Sequence, residues 1–148
     1  MIEALLAWMY ERMVEDESLD GLLARSALDP SKAAVYNTVP VPVEAKLPYV
    51  VISGPITDEP DDTFDAQYRT PEVDLHAYTA RRDAGGSSAA PVNAIAERVR
   101  ELFHRQNFAA DITGYRALVI RCSGPVVNDG TNAYGRVVTA RCLLTAAT

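Results

Sequence analysis

The stretch EVDLHAYT, residues 72–79, indicates the fold because its apolar and polar residues alternate without a break. Val73, Leu75 and Ala77 share one face, and Glu72, Asp74, His76 and Tyr78 share the other. A period of two is typical of a strand that buries one face and leaves the other accessible. The stretch therefore predicts a half-buried strand in a sheet with one apolar face.

The residues upstream of this strand also have strand character, interrupted by prolines. LPYVVIS, residues 47–53, is rich in β-branched and aromatic residues, and Gly54-Pro55 bends the chain after it. Val35 and Tyr36 begin a shorter extended piece that runs into VPVP, residues 39–42. Proline cannot donate to a sheet ladder, so these residues predict an edge or a connector.

The downstream end predicts a hairpin. Leu118–Cys122 alternates, and a kink follows at Gly124-Pro125. The turn-rich residues Asn128–Asn132 lead to a return strand over Tyr134–Leu144, which alternates again.

Two segments have helical spacing instead. In the first, residues 2–13, apolar side chains recur every three or four positions, and the acidic run Glu15-Asp16-Glu17 predicts where the helix ends. A leucine-rich turn of helix follows at residues 19–23. The second segment, residues 91–106, comes after the polar linker RRDAGGSSAA, with Ser88 as its candidate cap. Its apolar stripe is Val92, Ile95, Ala96, Val99, Leu102 and Phe103.

Together these patterns predict an α+β fold: an antiparallel β-sheet with two amphipathic helices packed on one face. The 148 residues fit a single domain, 1–148, that needs no metal or disulfide to fold. We expect flexible loops near 58–66, 83–90 and 128–133.

The composition excludes several classes of protein. With 48% hydrophobic and 23% charged residues, the chain is an ordinary globular one rather than disordered. A net charge of −6 argues against sequence-independent binding of nucleic acid, because such binding depends on Lys and Arg that neutralise the phosphates. We expect no signal peptide, since Met1–Tyr10 has no basic start, and no membrane span of about 18 apolar residues.

The residue types that usually carry out catalysis show no recognisable catalytic arrangement in this sequence. His76 and His104, the only histidines, are expected to be solvated, on a strand's polar face and a helix's exposed side. Cys122 and Cys142 sit in strand-like runs and are expected to be buried, reduced thiols rather than a disulfide or zinc ligands. Trp8 is expected to be a half-buried packing residue or, if exposed, part of an interface.

Three further motifs each have a structural interpretation as well as a functional one. The acidic residues 57–65 resemble a calcium loop only loosely, because Pro60 interrupts the spacing, so a solvated loop is favoured. Gly85-Gly86-Ser87-Ser88 precedes a helix but lacks GK[ST], which favours a flexible linker over a phosphate loop. Arg81-Arg82 near Tyr78 is a weak nucleic-acid signal in an acidic chain. We expect no metal, no cofactor and no enzyme activity.

The order of the segments resembles the tail-completion, or tail-terminator, family of long-tailed phages, which is also found in phage-derived gene-transfer particles. The resemblance covers about residues 1–144. It rests on LPYVV after a Tyr-containing strand, on EVDLHAY before the main helix, and on the final hairpin ending in RVVTAR, residues 136–141.

This resemblance implies a structural virion protein at the head-proximal end of the tail, made in the host cytoplasm. It implies a hexameric ring that caps the tail tube, ends tube polymerisation and offers the head–tail joining surface. The implied partners are further copies of itself, the major tail tube protein and the head–tail connector, while DNA passes through the ring without specific binding. The candidate subunit or tube contacts are Asp58, Asp61, Asp62, Phe64, Asp65, Arg81 and Arg82.

Two alternatives stay open at this point. A neck or head-completion adaptor of the same particle would have a similar architecture. A small dimeric α+β enzyme or ligand-binding domain belongs to another class and would need an apolar pocket with converging polar groups.

Overall fold

A computed structural model describes residues 2–37, 40–62, 67–81, 88–105, 111–112, 115–130 and 132–146. Within these ranges the helices are α1 (Ile2–Val14), α2 (Glu17–Leu22) and α3 (Ala90–Phe103). The strands are β1 (Val35–Tyr36), β2 (Tyr49–Asp62), β3 (Gln67–Ala80), β4 (Asp111–Ile112), β5 (Tyr115–Val127) and β6 (Ala133–Ala146). They form one sheet with helices packed against it, which confirms the α+β class.

The acidic run after α1 separates two helices, as predicted. The carboxylate of Asp16 accepts a hydrogen bond from the Leu19 N–H at 3.0 Å and so caps the N-terminus of α2. Arg98 of α3 donates to the two oxygens of the same carboxylate, at 2.6 and 3.0 Å. One side chain therefore starts α2 and ties it to α3.

The strand order is β1-β2-β3-β6-β5-β4. All neighbouring strands pair antiparallel except β1, which runs parallel to β2 through Val35↔Val50 and Tyr36↔Val51. The sheet is thus mixed at one edge, where a wholly antiparallel one was predicted. The proline-containing connector between β1 and β2 is long enough for the return crossover that a parallel pair requires.

The prediction of an acidic loop was wrong for its first part. Strand β2 continues through Asp62, with Thr57–Asp62 paired to Gln67–Glu72 after a register shift at Gly54-Pro55. Polar side chains suggested a loop, but the backbone of β3 supplies the hydrogen bonds that make these residues a strand. Pro60 is tolerated because β2 is an edge strand here, where a missing N–H can face away from the ladder.

The core lies between the helices and one face of the sheet. Five residues of the predicted α3 stripe are buried, and the sixth, Leu102, is half-buried; the buried five are Val92, Ile95, Ala96, Val99 and Phe103. Cys122 and Cys142 are unpaired cysteines buried in the same core, which confirms their predicted burial. Trp8 packs on Phe103 with 5.9 Å between ring centroids and is half-buried, also as predicted.

The N-terminus of α3 differs slightly from its prediction. The N-cap residue is Ala89, whose side chain makes no capping bond. The predicted cap, Ser88, lies one position earlier, and its hydroxyl accepts a hydrogen bond from the Ala90 N–H at 3.1 Å. The predicted linker residues 82–87 lie outside the described residues.

Candidate assembly surface

The two faces of the sheet have different surroundings. The inner face packs against the helices and is buried; it includes Val50, Ile52, Val73, Leu75, Ala77, Ile120, Val138, Ala140 and Cys142. The alternate residues of the same strands form the outer face, and nearly all of those described are half-buried or exposed. Across the described residues, the helices contribute to the inner core alone. The outer face is therefore the largest sheet surface open to a partner.

One corner of the outer face is occupied by aromatic rings. Tyr49 packs edge-on against both Tyr36 and Tyr78, with 5.7 Å between ring centroids in each pair. His76 stacks on Tyr78 with an interplanar angle of 7°. Burial raises the pKa of Tyr78 above its usual value. His76 is thus half-buried in an aromatic cluster rather than fully solvated as predicted, and Val41 of the connector lies beside the same cluster.

The centre of the outer face is polar but satisfied. The Thr139 hydroxyl donates a hydrogen bond to the Asp74 carboxylate at 2.6 Å across the β3–β6 pair. Ser53 and Ser123 lie in register on either side. This row holds the strands together, and its one charged group, the Asp74 carboxylate, accepts the hydrogen bond from Thr139.

The next row of the outer face is charged and unbalanced. Glu72 pairs in register with Arg141, which pairs in turn with Arg121. The Arg141 Nε lies 3.8 Å from a Glu72 carboxylate oxygen, a long contact for an ion pair. Like charges directly opposite each other on a sheet are destabilising. Within this row one carboxylate accompanies two exposed arginines, and the Asp74 carboxylate lies in the neighbouring row of the same face.

Charges are also sorted by strand across the width of the sheet. Strand β2 carries Asp58, Glu59, Asp61 and Asp62 and no basic residue. Strands β5 and β6 carry no acidic residue, and their arginines are Arg116, Arg121, Arg136 and Arg141. Strand β3 lies between them and carries both signs. The sheet is acidic on its β2 side and basic on its β5 side.

The backbone of the β5 edge is covered. Strand β4 pairs with Tyr115 and Arg116. Further along, the Arg105 N–H donates to the Ile120 carbonyl at 2.8 Å, and the Cys122 N–H donates to His104 Nδ1 at 2.9 Å. Gly124, at a φ of 95°, then breaks the register next to Pro125. This coverage hinders the addition of another strand along the part of β5 that ends at Cys122.

The β2 edge is covered much less. Strand β1 pairs only with Val50 and Val51. Residues 52–62 have no strand partner on that side within the ranges that the structure describes. An edge of this kind is open to association, and it coincides with the acidic part of β2.

His104 is not the solvated surface residue that was predicted. It caps the C-terminus of α3, and its Nδ1 accepts the hydrogen bond from Cys122, which requires the neutral ring. Desolvation, followed by the charges of Arg100, Arg105 and Arg121, lowers the pKa of His104 below its usual value. Its role is to hold the β5 edge, and the sequence gives no local signal for it.

The predicted contact residues are not all brought together. Asp58, Asp61 and Asp62 lie in β2 at the end of the β2–β3 pairing, while Phe64, Asp65 and Arg82 lie outside the described residues. Arg81 follows β3 at the opposite end of the sheet, where its guanidinium lies over the Tyr134 ring at 5.6 Å. Sequence reasoning missed Arg121 and Arg141. Their strand alternation was visible, but their pairing across β5 and β6 was not.

The described residues contain no group of three or more His, Cys, Asp or Glu arranged to hold a metal ion. None of the helices in these ranges is long and apolar enough to cross a membrane. The described surface has one open sheet face, which carries Glu72, Asp74, Arg121 and Arg141, and one sparsely paired edge along β2.

The geometry defines a class: a single-sheet α+β protein with one sheet face buried under helices and the other accessible to solvent. The fold is similar to that of a chain in the virion of a native gene transfer agent (GTA) particle. The TM-score is 0.66 at 20% sequence identity, and the match covers 96% of each chain. No family profile and no curated protein sequence matches the chain.

Proposed function

We propose that this chain is a structural virion protein of a long-tailed phage or a phage-derived gene-transfer particle. It caps the head-proximal end of the tail tube as a ring of six copies, ends tube polymerisation and presents the surface to which the head connector binds. The observation that supports this proposal is the shared fold over 96% of both chains with a component of a GTA virion.

The architecture of the surface agrees with such a role. A subunit of a closed ring needs two unlike contact surfaces, because each copy binds one neighbour in front and another behind. The acidic β2 side and the basic β5–β6 side of the sheet are unlike in this sense. The tube protein and the connector are the other proposed partners, and the net charge of −6 suits a channel through which DNA passes without adhering.

The test is to remove the gene from a strain that produces the particles and to image the tails. We expect tails of uncontrolled length without heads, and complementation with the wild-type chain should restore both length and joining. Phe64→Ala and, separately, Asp61→Asn with Asp62→Asn should each lower the number of complete particles, because we propose that this segment contacts a neighbour or the tube.

Other outcomes would reassign the protein. Tails of normal length that lack heads would favour a neck or head-completion adaptor. Intact, infectious or transducing particles in the absence of the chain would overturn a structural role in the virion.

A further inference from the structure

The C-terminal end of α3 brings three arginines around one histidine at the β5 edge. The His104 N–H donates to the Arg100 carbonyl at 2.7 Å, and the Arg105 N–H donates at 2.8 Å to the β5 carbonyl just before Arg121. His104 Nδ1 accepts at 2.9 Å from the N–H of Cys122, the residue just after Arg121. These bonds hold β5 on both sides of Arg121. The charges of all three arginines reach the His104 ring, where they add to desolvation in lowering its pKa.

The carboxylates of α3 do not neutralise this group. Among the described residues, the three arginine side chains make no hydrogen bond and no ion pair, and Arg100 Nε is buried without a partner. Glu101 lies 3.5 Å from an Arg98 nitrogen instead. Glu97, one turn before Arg100, is exposed and forms no ion pair with it. No carboxylate contributes to the pKa shift of the His104 ring.

The β3 carboxylates of the outer face are also engaged elsewhere. Glu72 lies 3.8 Å from Arg141, and Asp74 accepts a hydrogen bond from Thr139 at 2.6 Å. Strand β6 lies between β3 and β5, so these carboxylates belong to a strand about 10 Å from β5 at the usual strand spacing. The surplus of positive charge is therefore local to the β5 edge around His104.

The end of the helix accounts for only part of this charge. Cations are favoured near a helix C-terminus because the peptide dipoles place about half a negative charge there. Against three guanidinium groups, roughly two and a half positive charges remain. The His104 ring adds a donor. Because its Nδ1 accepts from Cys122, the proton of the neutral ring sits on Nε2, which has no hydrogen-bond partner among the described residues.

We propose that Arg100, Arg105, Arg121 and the Nε2–H of His104 form a binding site for one phosphate group. A phosphate carries about −1.5 to −2 charges at neutral pH and matches the surplus, whereas a single carboxylate leaves most of it unanswered. Guanidinium groups also suit phosphate oxygens, because they present paired N–H donors. The net charge of −6 disfavours a long polyanion such as duplex DNA, so the ligand is a small phosphate, either free or on a nucleotide. This site goes beyond the tail-capping role and does not depend on it.

NMR titration of the purified full-length chain tests the site. Inorganic phosphate and adenosine monophosphate are added separately at about pH 8, where both are largely doubly charged, with chloride used to keep the ionic strength constant. The ring signals of His104 report binding, and those of His76 are the control within the same spectra. The site variants are Arg105→Gln and Arg121→Gln, both at exposed positions. Arg81→Gln is the matched control, since it removes the same charge at an exposed position at the opposite end of the sheet.

We expect phosphate to shift the His104 signals to saturation and to leave those of His76 in place. Each site variant should bind at least about tenfold more weakly, the loss expected for one charged hydrogen-bond partner, while Arg81→Gln should bind like wild type. Equal affinity for both ligands would identify the phosphate group alone as the ligand, and tighter binding of adenosine monophosphate would identify a nucleotide.

Three results would overturn the proposal. The first is a His104 signal that does not saturate with either ligand, and the second is a loss of affinity in Arg81→Gln as large as that in Arg105→Gln. The third is a glutamate-rich peptide that shifts the same signals at lower concentration than phosphate does, which would assign the arginines to an acidic protein partner. None of these results bears on the tail-capping role, which the deletion strain tests separately.

Discussion

Among single residues, Asp16 connects the most parts of the fold. Its carboxylate caps α2 through the Leu19 N–H and receives two hydrogen bonds from Arg98 of α3. The hydrogen bonds from Arg98 are the main cause of the lowered pKa of Asp16, and burial opposes them. The Asp16 side chain is only 10% exposed, so this ion pair is better shielded from solvent than the exposed pair of Arg25 with Asp20.

Removing the Asp16 carboxylate should therefore destabilise the protein. Asp16→Ala should lower the free energy of unfolding by about 2 kcal/mol, a typical loss for a cap combined with charged hydrogen bonds. Asp16→Asn should lower the free energy of unfolding by less, because its side-chain oxygen can still accept the hydrogen bond from the Leu19 N–H. Urea unfolding at neutral pH measures both, with Asp20→Ala as the matched control, which should stay within about 0.5 kcal/mol of wild type.

The pH dependence of the Asp16 effect has a definite sign. A carboxylate with a lowered pKa stabilises the folded state fully above its unfolded pKa of about 3.9. That contribution is lost as the pH falls through the lower folded-state pKa. The difference in free energy of unfolding between wild type and Asp16→Ala should shrink in acid. If Asp20→Ala destabilised the protein as much as Asp16→Ala does, the role assigned to Asp16 would be wrong.

The sequence predicts only part of what Asp16 does. An acidic run after an apolar helix marks its end, because the helix dipole disfavours negative charge there. The bond to Arg98 spans 82 positions and depends on how α2 and α3 pack. No local pattern encodes that packing.

At the scale of elements, the alternation of apolar and polar residues predicted the strands correctly. Where that alternation is absent, a strand was predicted to be a loop. EVDLHAYT was assigned correctly because one face of β3 is buried and the other is not. The end of β2 is a strand for a different reason, since its backbone pairs with β3 regardless of its polar side chains. Composition alone favours a loop there, and only the pairing partner decides otherwise.

The covered edge of β5 leads to a prediction about His104. Its Nδ1 accepts from the Cys122 N–H only while the ring is neutral, and its pKa is lowered by desolvation first and then by nearby arginines. This stabilising contact is fully present above the unfolded pKa of about 6.5 and is lost as the pH falls through the lowered folded-state pKa.

We therefore expect the free energy of unfolding of wild type to fall between about pH 7 and pH 5. The free energy of unfolding of His104→Asn should fall less over this range, because the amide oxygen of asparagine can accept the same hydrogen bond and does not titrate. NMR titration of the His104 ring gives the pKa directly, with His76 as the second histidine signal in the same spectra. A His104 pKa at or above the unfolded value would contradict the hydrogen bond.

For the whole molecule, one sheet organises both the core and the candidate assembly surface. Alternation predicted its inner face, which is why the fold class and the buried cysteines followed from the sequence. The candidate site did not follow in the same way. Arg121 and Arg141 lie 20 positions apart in the chain and become neighbours only through the β5–β6 register.

The shared core also predicts how the two thiols react. Burial raises the pKa of Cys122 to about 11 and that of Cys142 to about 12, so almost no thiolate exists at neutral pH. Alkylation of either thiol in the native protein should be at least about a hundredfold slower than that of a free cysteine. Cys142 lies in a central strand, and its reaction should require global unfolding.

Cys122 lies in β5 beside the His104 contact, so opening of that edge should expose it before Cys142. The single variants Cys122→Ala and Cys142→Ala isolate each thiol, and mass spectrometry follows its alkylation with time. Adding Asp16→Ala should speed the reaction of Cys142 by about thirtyfold, the factor that a loss of 2 kcal/mol gives in the unfolded population. Asp16→Ala could lower the urea midpoint and leave the alkylation rate of Cys142 unchanged. That result would mean that β6 opens locally and that the sheet and helices do not unfold as one unit.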